Sequence, residues 1–313
     1  MEKSIKFIKT WQERTGYFEY SVKLRQRKRK NKIIFGLRLN VFLKSLWSVF
    51  RFPIGFYGVK YLEIPITTAC TLRCRDCANL MQYYRSDYNC SKTHVGSVDC
   101  NKLMQAMNNL LKCVDYIEEL HILGGEPFLN KDLPKILRFI KRIKKVKNIT
   151  IVTNGTLVPS QEILEILQEN RCEIFISNYG EYSSKINEIV RLCADLKIRC
   201  KVLNNSQWYQ SGGLNLRERS VDELEQQYSK CGEFCRSLLN GQLYICPRSA
   251  HGTDLGVVND WHVNLLEMTS PKEKQKELLE LEDLNYIMMC NYCNEGTDEY
   301  VPIPRGVQVS KND

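Results

Sequence analysis

From residue 60 onward, short runs of β-branched and apolar residues alternate with longer segments whose apolar positions recur every three to four residues. The runs predict strands over Lys60–Thr67, Tyr116–Leu123, Ile149–Thr153, Glu173–Ser177 and Ile198–Leu203. The segments between them predict helices over about Val98–Cys113, Lys131–Lys145, Ser160–Asn170 and Ser184–Leu196. Strand, helix, strand at this spacing specifies a parallel α/β sheet. Ile174-Phe-Ile176 is continuously apolar, as a strand covered on both faces must be. Glu63 and Pro65 interrupt the first run. After Leu203 the character changes: Asn204–Asn215 is turn-rich, Ser220–Ser229 reads as a helix, and alternation weakens over a cysteine-dense stretch from Cys231 to Cys293. A domain boundary is expected near residues 205–220.

In a parallel α/β domain, ligands bind at the carboxyl ends of the strands. The loop after the first strand carries Cys70, Cys74 and Cys77. The next three carry Gly124-Gly-Glu-Pro127, Thr153-Asn-Gly155 and Ser177-Asn-Tyr-Gly180. A solvated turn describes any one of these loops, but it is a poor description of all four on one rim. Gly124 and Gly125 let backbone approach a ligand closely and leave carbonyls free to accept from an ammonium group. Glu126 adds an acceptor, and Asn154 and Ser177 can bond to a carboxylate or a ribose hydroxyl.

The cysteines form a C-x3-C-x2-C run. An ordinary four-iron cluster takes four cysteine ligands. Three leave one iron open, by the logic that separates catalytic from structural zinc sites. The competing reading is a structural metal knuckle completed by Cys90 or His94. The run resembles the signature of the radical S-adenosylmethionine (SAM) superfamily, and Gly124-Gly-Glu-Pro127 is similar to that family's motif for the SAM amino group. Ser177 looks like the family's residue after the fourth strand that contacts ribose or carboxylate, and Thr153-Asn-Gly155 resembles its third-strand motif. The resemblance implies a partial (β/α)6, TIM-like barrel over about residues 58–215. It implies a 4Fe–4S cluster on Cys70, Cys74 and Cys77 whose fourth iron chelates SAM, and SAM contacts from Gly124, Gly125, Glu126, Asn154 and Ser177. The family commonly has an aromatic residue before the third cysteine, packing near adenine; here it is Asp76.

Fourteen cysteines in 313 residues are unusual. The N-terminus is polar and charged, without a secretory signal, so a cytoplasmic, reducing setting is expected, where cysteines point to metal or catalysis. A second set comprises Cys231, Cys235, Cys246, Cys290 and Cys293. Its spacing gives two halves of a four-thiolate site, either an auxiliary 4Fe–4S cluster or a structural zinc ribbon. The first half, C-x9-G-x4-C, resembles the start of the SPASM extension of radical SAM proteins. No cysteine follows Cys293, which resembles the shorter twitch version with one auxiliary cluster, here over 216–313. The best ligand set is Cys231, Cys246, Cys290 and Cys293. Cys235 either replaces Cys231 or stays free, where its thiol is a candidate hydrogen-atom donor to a substrate radical; the plainer reading is a buried inert cysteine. Cys90, Cys100, Cys113, Cys172, Cys193 and Cys200 read as small core hydrophobes.

Charge separates the first 57 or so residues from the rest. Residues 1–60 hold 15 Lys/Arg against three acids, a net +12, which leaves −3 of the overall +9 for the remainder. Residues 1–57 therefore read as a basic helical extension. It either caps the main domain, lies on an anionic membrane surface through residues 20–50, or meets an acidic partner. Ile33–Phe50 is interrupted by Arg38, Asn40 and Lys44, too polar for a transmembrane helix. The run Lys141–Lys147 reads as a solvated helix face, and no nucleic-acid partner is expected.

The activity implied by the resemblance is reductive cleavage of SAM, with electrons from flavodoxin or ferredoxin, followed by hydrogen abstraction from a substrate C–H bond. The layout of one triplet, one short auxiliary domain and a distal C-x2-C resembles twitch members acting on aminocyclitols. The expected substrate is thus a small carbohydrate-type molecule, oxidised or epimerised. Peptide modification (epimerisation or crosslinking) is the alternative, and a non-catalytic Fe–S binding protein the third reading. Trp208, Tyr209, Arg248, Ser249 and His251 are further candidates for the barrel mouth, with Arg248 suited to a phosphate or carboxylate.

Overall fold

The computed structural model describes residues 58–84, 96–168, 172–204, 208–233 and 235–309. The extension expected over 1–57, its membrane contact through 20–50, and Cys90 and His94 lie outside the described residues.

The alternating pattern is realised almost element for element. Strands β1 (Gly58–Pro65), β2 (Tyr116–Leu123), β3 (Val146–Thr153), β4 (Cys172–Ser177) and β5 (Arg199–Leu203) alternate with helices α1 (Cys100–Cys113), α2 (Leu133–Lys141), α3 (Gln161–Leu167) and α4 (Ile186–Asp195). Neighbouring strands in this series all pair in parallel. The helices start where side chains accept the first free N–H groups: Asp99 for α1 and Ser160 for α3. One sheet face is apolar. Leu62, Ile64, Leu120, Ile122, Ile151, Ile174 and Ile176 are buried in one core with Met107, Leu110, Ile136, Ile140, Ile163 and Ile189 of the helices.

The opposite face carries one polar row. Glu63 lies beside His121, His121 beside Thr150, and Thr150 beside Glu173, forming a row across four strands. Lys201 Nζ lies 3.0 Å from the Glu173 carboxylate. Burial, then the Lys201 charge, lowers His121 to about 4, so its imidazole is neutral.

The sheet does not end at β1. After the two-residue β6 (Trp208–Tyr209) and α5 (Val221–Lys230) comes β7 (Arg236–Leu239), which pairs in parallel with the other edge of β1. Strands β8 (Gln242–Tyr244) and β9 (Val263–Asn264) then add antiparallel, giving the order β5-β4-β3-β2-β1-β7-β8-β9. The sixth parallel strand therefore comes from beyond residue 215. β6 does not extend the sheet past β5. It pairs antiparallel with β10 (Pro302–Ile303) in a separate small sheet. Helices α6 (Pro247–Asp254) and α7 (Pro271–Glu282) complete this half. The architecture is α/β, a mostly parallel sheet of the partial-barrel type with a small C-terminal sheet.

Candidate metal and cofactor site

The loop after β1 is gripped by the loop after β2. Gly125 N–H donates to Thr67 O (2.9 Å) and Glu126 N–H to Ala69 O (2.8 Å). A Cβ on Gly124 would sit 2.2 Å from Thr67 O; one on Gly125 would sit 2.2 Å from Ala69 O and 2.8 Å from Cys70 Cβ. The close approach that the two glycines permit is therefore to the backbone that carries Cys70.

Glu126 is fully buried. Its carboxylate accepts from Thr153 Oγ1 (2.9 Å), Asn154 N–H (2.9 Å) and Phe128 N–H (3.2 Å). Burial pushes it up to about 7 against the lowering effect of those donors. Asn154 in turn donates to Thr71 Oγ1 (3.0 Å) and lies 3.7 Å from Cys70 Sγ. The loops after β1, β2 and β3 are thus one hydrogen-bonded unit.

The three thiols come together within range of one another's charge. Burial raises Cys70 to about 11, and Cys77 and Glu126 add to the rise. Burial likewise raises Cys74 to about 12, with Cys77 and Cys70 adding. N–H donors already point at the sulfurs: Leu72 N–H at Cys70 (3.4 Å), Gln308 Nε2 at Cys74 (3.2 Å), and the backbone of residues 79–81 at Cys77. Such donors suit thiolates that bind metal, because ligation requires the proton to leave.

Ser177 is hydrogen-bonded to Tyr179, whose phenol is raised first by burial and then by the charges of Cys74, Cys77 and Cys70. Tyr179 also meets Trp208 edge-on, with centroids 5.4 Å apart. Its position beside the triplet was not read from sequence. The available signal was its place within Ser177–Gly180.

Cys231, Cys246, Cys290 and Cys293 line one cavity of about 220 Å³, together with Glu63, Glu233, Glu295 and Arg248. Cys235 is absent from that lining; its neighbours are Glu63 and Glu233, to which its thiol is hydrogen-bonded. Arg219 holds the carbonyls of Cys290 (3.1 Å) and Cys293 (2.9 Å), and Gln227 Nε2 adds a second donor to Cys293 O at 2.8 Å. Asp260 ties the Cys246 and Cys290 segments together, accepting from Ser249 Oγ (2.8 Å), Met288 N–H (2.6 Å) and Met289 N–H (3.2 Å). Among the described residues, no group of three or more His, Cys, Asp or Glu side chains converges on a single-ion position.

The expected mouth residues divide. Arg248 is buried, and its guanidinium faces the carbonyls of Ala78 (3.3 Å), Gly213 (2.7 Å) and Tyr292 (3.3 Å). It therefore knits the triplet loop to the second cysteine set, while the residue also lines the cavity and its Nε has no hydrogen-bond partner. Ser249 and His251 are fully buried, the latter bonded through Nδ1 to Tyr84 Oη (3.0 Å). Tyr209 stacks on Tyr300 at 4.8 Å, in the small second sheet.

Residues 64–201 match the family model described as Radical SAM superfamily. A GTP 3′,8-cyclase of Clostridium acetobutylicum is 32% identical over 102 residues, 33% of this chain and 29% of that protein. The GTP 3′,8-cyclase of Aquifex aeolicus is 24% identical over 204 residues, 65% of this chain and 59% of that protein. The chain thus spans less than a third of the Clostridium relative's length. Among solved structures, anSMEcpe with bound AdoMet covers 74% of this chain and 83% of its own at 17% identity and a TM-score of 0.46. BtrN in complex with AdoMet and 2-DOIA covers 80% and 99% at 16% identity and a TM-score of 0.44. The cysteine loop, the glycine–glutamate loop and the loops after β3 and β4 all fall within residues 64–201, the segment that matches the Radical SAM superfamily model.

Proposed function

We propose that the chain is an enzyme that holds a SAM-binding 4Fe–4S cluster on Cys70, Cys74 and Cys77 and an auxiliary 4Fe–4S cluster on Cys231, Cys246, Cys290 and Cys293. Its reaction removes a hydrogen atom from a small, polar, carbohydrate-type substrate. The observation that carries this reading is the contrast in ligand number: three thiols grouped on one loop, four around one cavity. Thiols that surround a volume suit a cube, with one cysteine per iron; a zinc ion would need its ligands within about 2.3 Å of one centre.

When bound, the first cluster and SAM supply the electron and the radical chemistry. The chain's own residues do the rest. Gly124 and Gly125 seat the cysteine loop. Glu126 lies within range of the Cys70 charge, and an arriving ammonium group favours its ionised form. Asn154 and Ser177 offer donors for carboxylate or ribose oxygens. Glu63, which lines the cavity with Glu233 and Glu295, supplies acceptors suited to hydroxyl and amino groups, which supports the carbohydrate reading over an apolar substrate. Cys235 is hydrogen-bonded to Glu63, and its thiol is a candidate hydrogen-atom donor.

The test is anaerobic incubation of the iron-loaded chain with SAM, a low-potential reductant and deuterated candidates. Deuterium moving from a sugar or aminocyclitol into 5′-deoxyadenosine supports the reading. Transfer only from peptides refutes the substrate class, and zinc in place of iron refutes the whole.

A further inference from the structure

We propose that Gln308 is a positioning and tuning residue for the three-thiol cluster, acting through an N–H···S hydrogen bond to Cys74. The inference rests on the reading of Cys70, Cys74 and Cys77 as cluster ligands. Gln308 is 234 residues from Cys74 in sequence, yet its Nε2 lies 3.2 Å from Cys74 Sγ. The two residues also form an isolated antiparallel bridge.

The amide's orientation is fixed by its other partners. Arg73 N–H can only donate, and it points at Oε1 (2.6 Å). Gly306 O can only accept, and Nε2 lies 2.7 Å from it. The NH2 end must therefore face the sulfur. Backbone bonds on both sides clamp the segment: Arg75 N–H to Val307 O (2.8 Å) and Val309 N–H to Arg73 O (2.7 Å). Gly306 has φ +65°, a left-handed turn that returns the chain toward the loop, and Tyr179 packs where a Cβ would stand, 3.1 Å away. Cys70 and Cys77 receive donors from their own loop, Leu72 and residues 79–81. Cys70 also receives the Asn154 amide at 3.7 Å; the donor on Cys74 is closer, at 3.2 Å, and comes from much farther along the chain.

A donor to a ligating sulfur stabilises negative charge, and the reduced cluster carries one electron more. The bond therefore raises the reduction potential. That electron comes from a low-potential reductant such as flavodoxin, and no covalent bond at Gln308 changes.

The experiment is a potentiometric titration of the iron-loaded full chain followed by electron paramagnetic resonance, with and without SAM. The cluster whose signal changes with SAM is the three-thiol one. Gln308→Leu and Gln308→Glu are expected to lower its midpoint by about tenfold in the reduction equilibrium, 59 mV for one electron. The other cluster's midpoint stays unchanged. Gln308→Glu keeps an acceptor for Arg73 N–H, so it carries the potential measurement if Gln308→Leu alone sheds iron from this site; that loss itself supports the clamp. Unchanged midpoints in both variants overturn the role of Gln308 while the SAM response upholds the underlying reading. A wild-type chain with no SAM-responsive cluster overturns both.

Discussion

The two cysteine sets reach their geometry by opposite routes. Cys70, Cys74 and Cys77 come from a single loop, and surrounding segments only shape it: the loop after β2 by backbone bonds, Asn154 by a side chain, Gln308 from near residue 309. Cys231, Cys246, Cys290 and Cys293 come from three separate segments. They share a cavity only because Arg219, Gln227 and Asp260 bind those segments to one another. One set is made within a single loop; the other depends on several segments meeting around one cavity.

The sharpest way to break this contrast is to remove the local site whole. Cys70, Cys74 and Cys77 changed together to Ala should abolish 5′-deoxyadenosine formation and lower bound iron from about eight to about four per chain. Residual SAM cleavage would refute the assignment.

The assembled site is tested by pairing Cys231→Ala with Cys235→Ala. The first should shed the auxiliary iron while a SAM-responsive signal persists; the second should keep full iron. The reverse pattern would move the ligand from Cys231 to Cys235.

Supports come next. Arg219→Ala strips the carbonyls of Cys290 and Cys293 of a charged donor and should destabilise the chain by about 3 kcal/mol in denaturant unfolding. Auxiliary iron should become labile while the three-thiol iron holds.

The smallest effect concerns the local site's own frame. Glu126 is raised to about 7 in the folded chain from an ordinary 4.5, so its ionisation opposes folding. Its contribution is full below about pH 4.5 and is lost as pH rises through about 7. Glu126→Gln in the cluster-free chain should flatten that loss. The variant should gain about 2 kcal/mol relative to wild type between pH 5 and pH 8, read from urea midpoints. A constant gap across that range would show that Glu126 is ionised and satisfied throughout.

Much of the fold was legible because it is written in local periodicity. The strand Tyr116–Leu123 is found with the expected bounds, and α1 begins two residues inside its expected start, at the Asp99 cap. The triplet and the four rim loops were legible for the same reason: each is a short motif at a strand end. Tyr179, Gln308 and the structural role of Arg248 were not. Arg248 reads in sequence as an anion binder, and its terminal NH groups meet three carbonyls from separate segments. No spacing along the chain encodes that convergence.

The sequence by itself determined the parallel α/β pattern, the three-thiol loop and the pool of cysteines for a second site. These depend on residues within one or two elements of each other, where hydrogen-bond geometry and side-chain period dictate the outcome. Only the tertiary structure decided that β7 joins β1, that Cys231 and not Cys235 lines the four-thiol cavity, and that Gln308 meets Cys74. Those outcomes depend on contacts between segments far apart in the chain, fixed by which buried polar groups find partners once the sheet has formed.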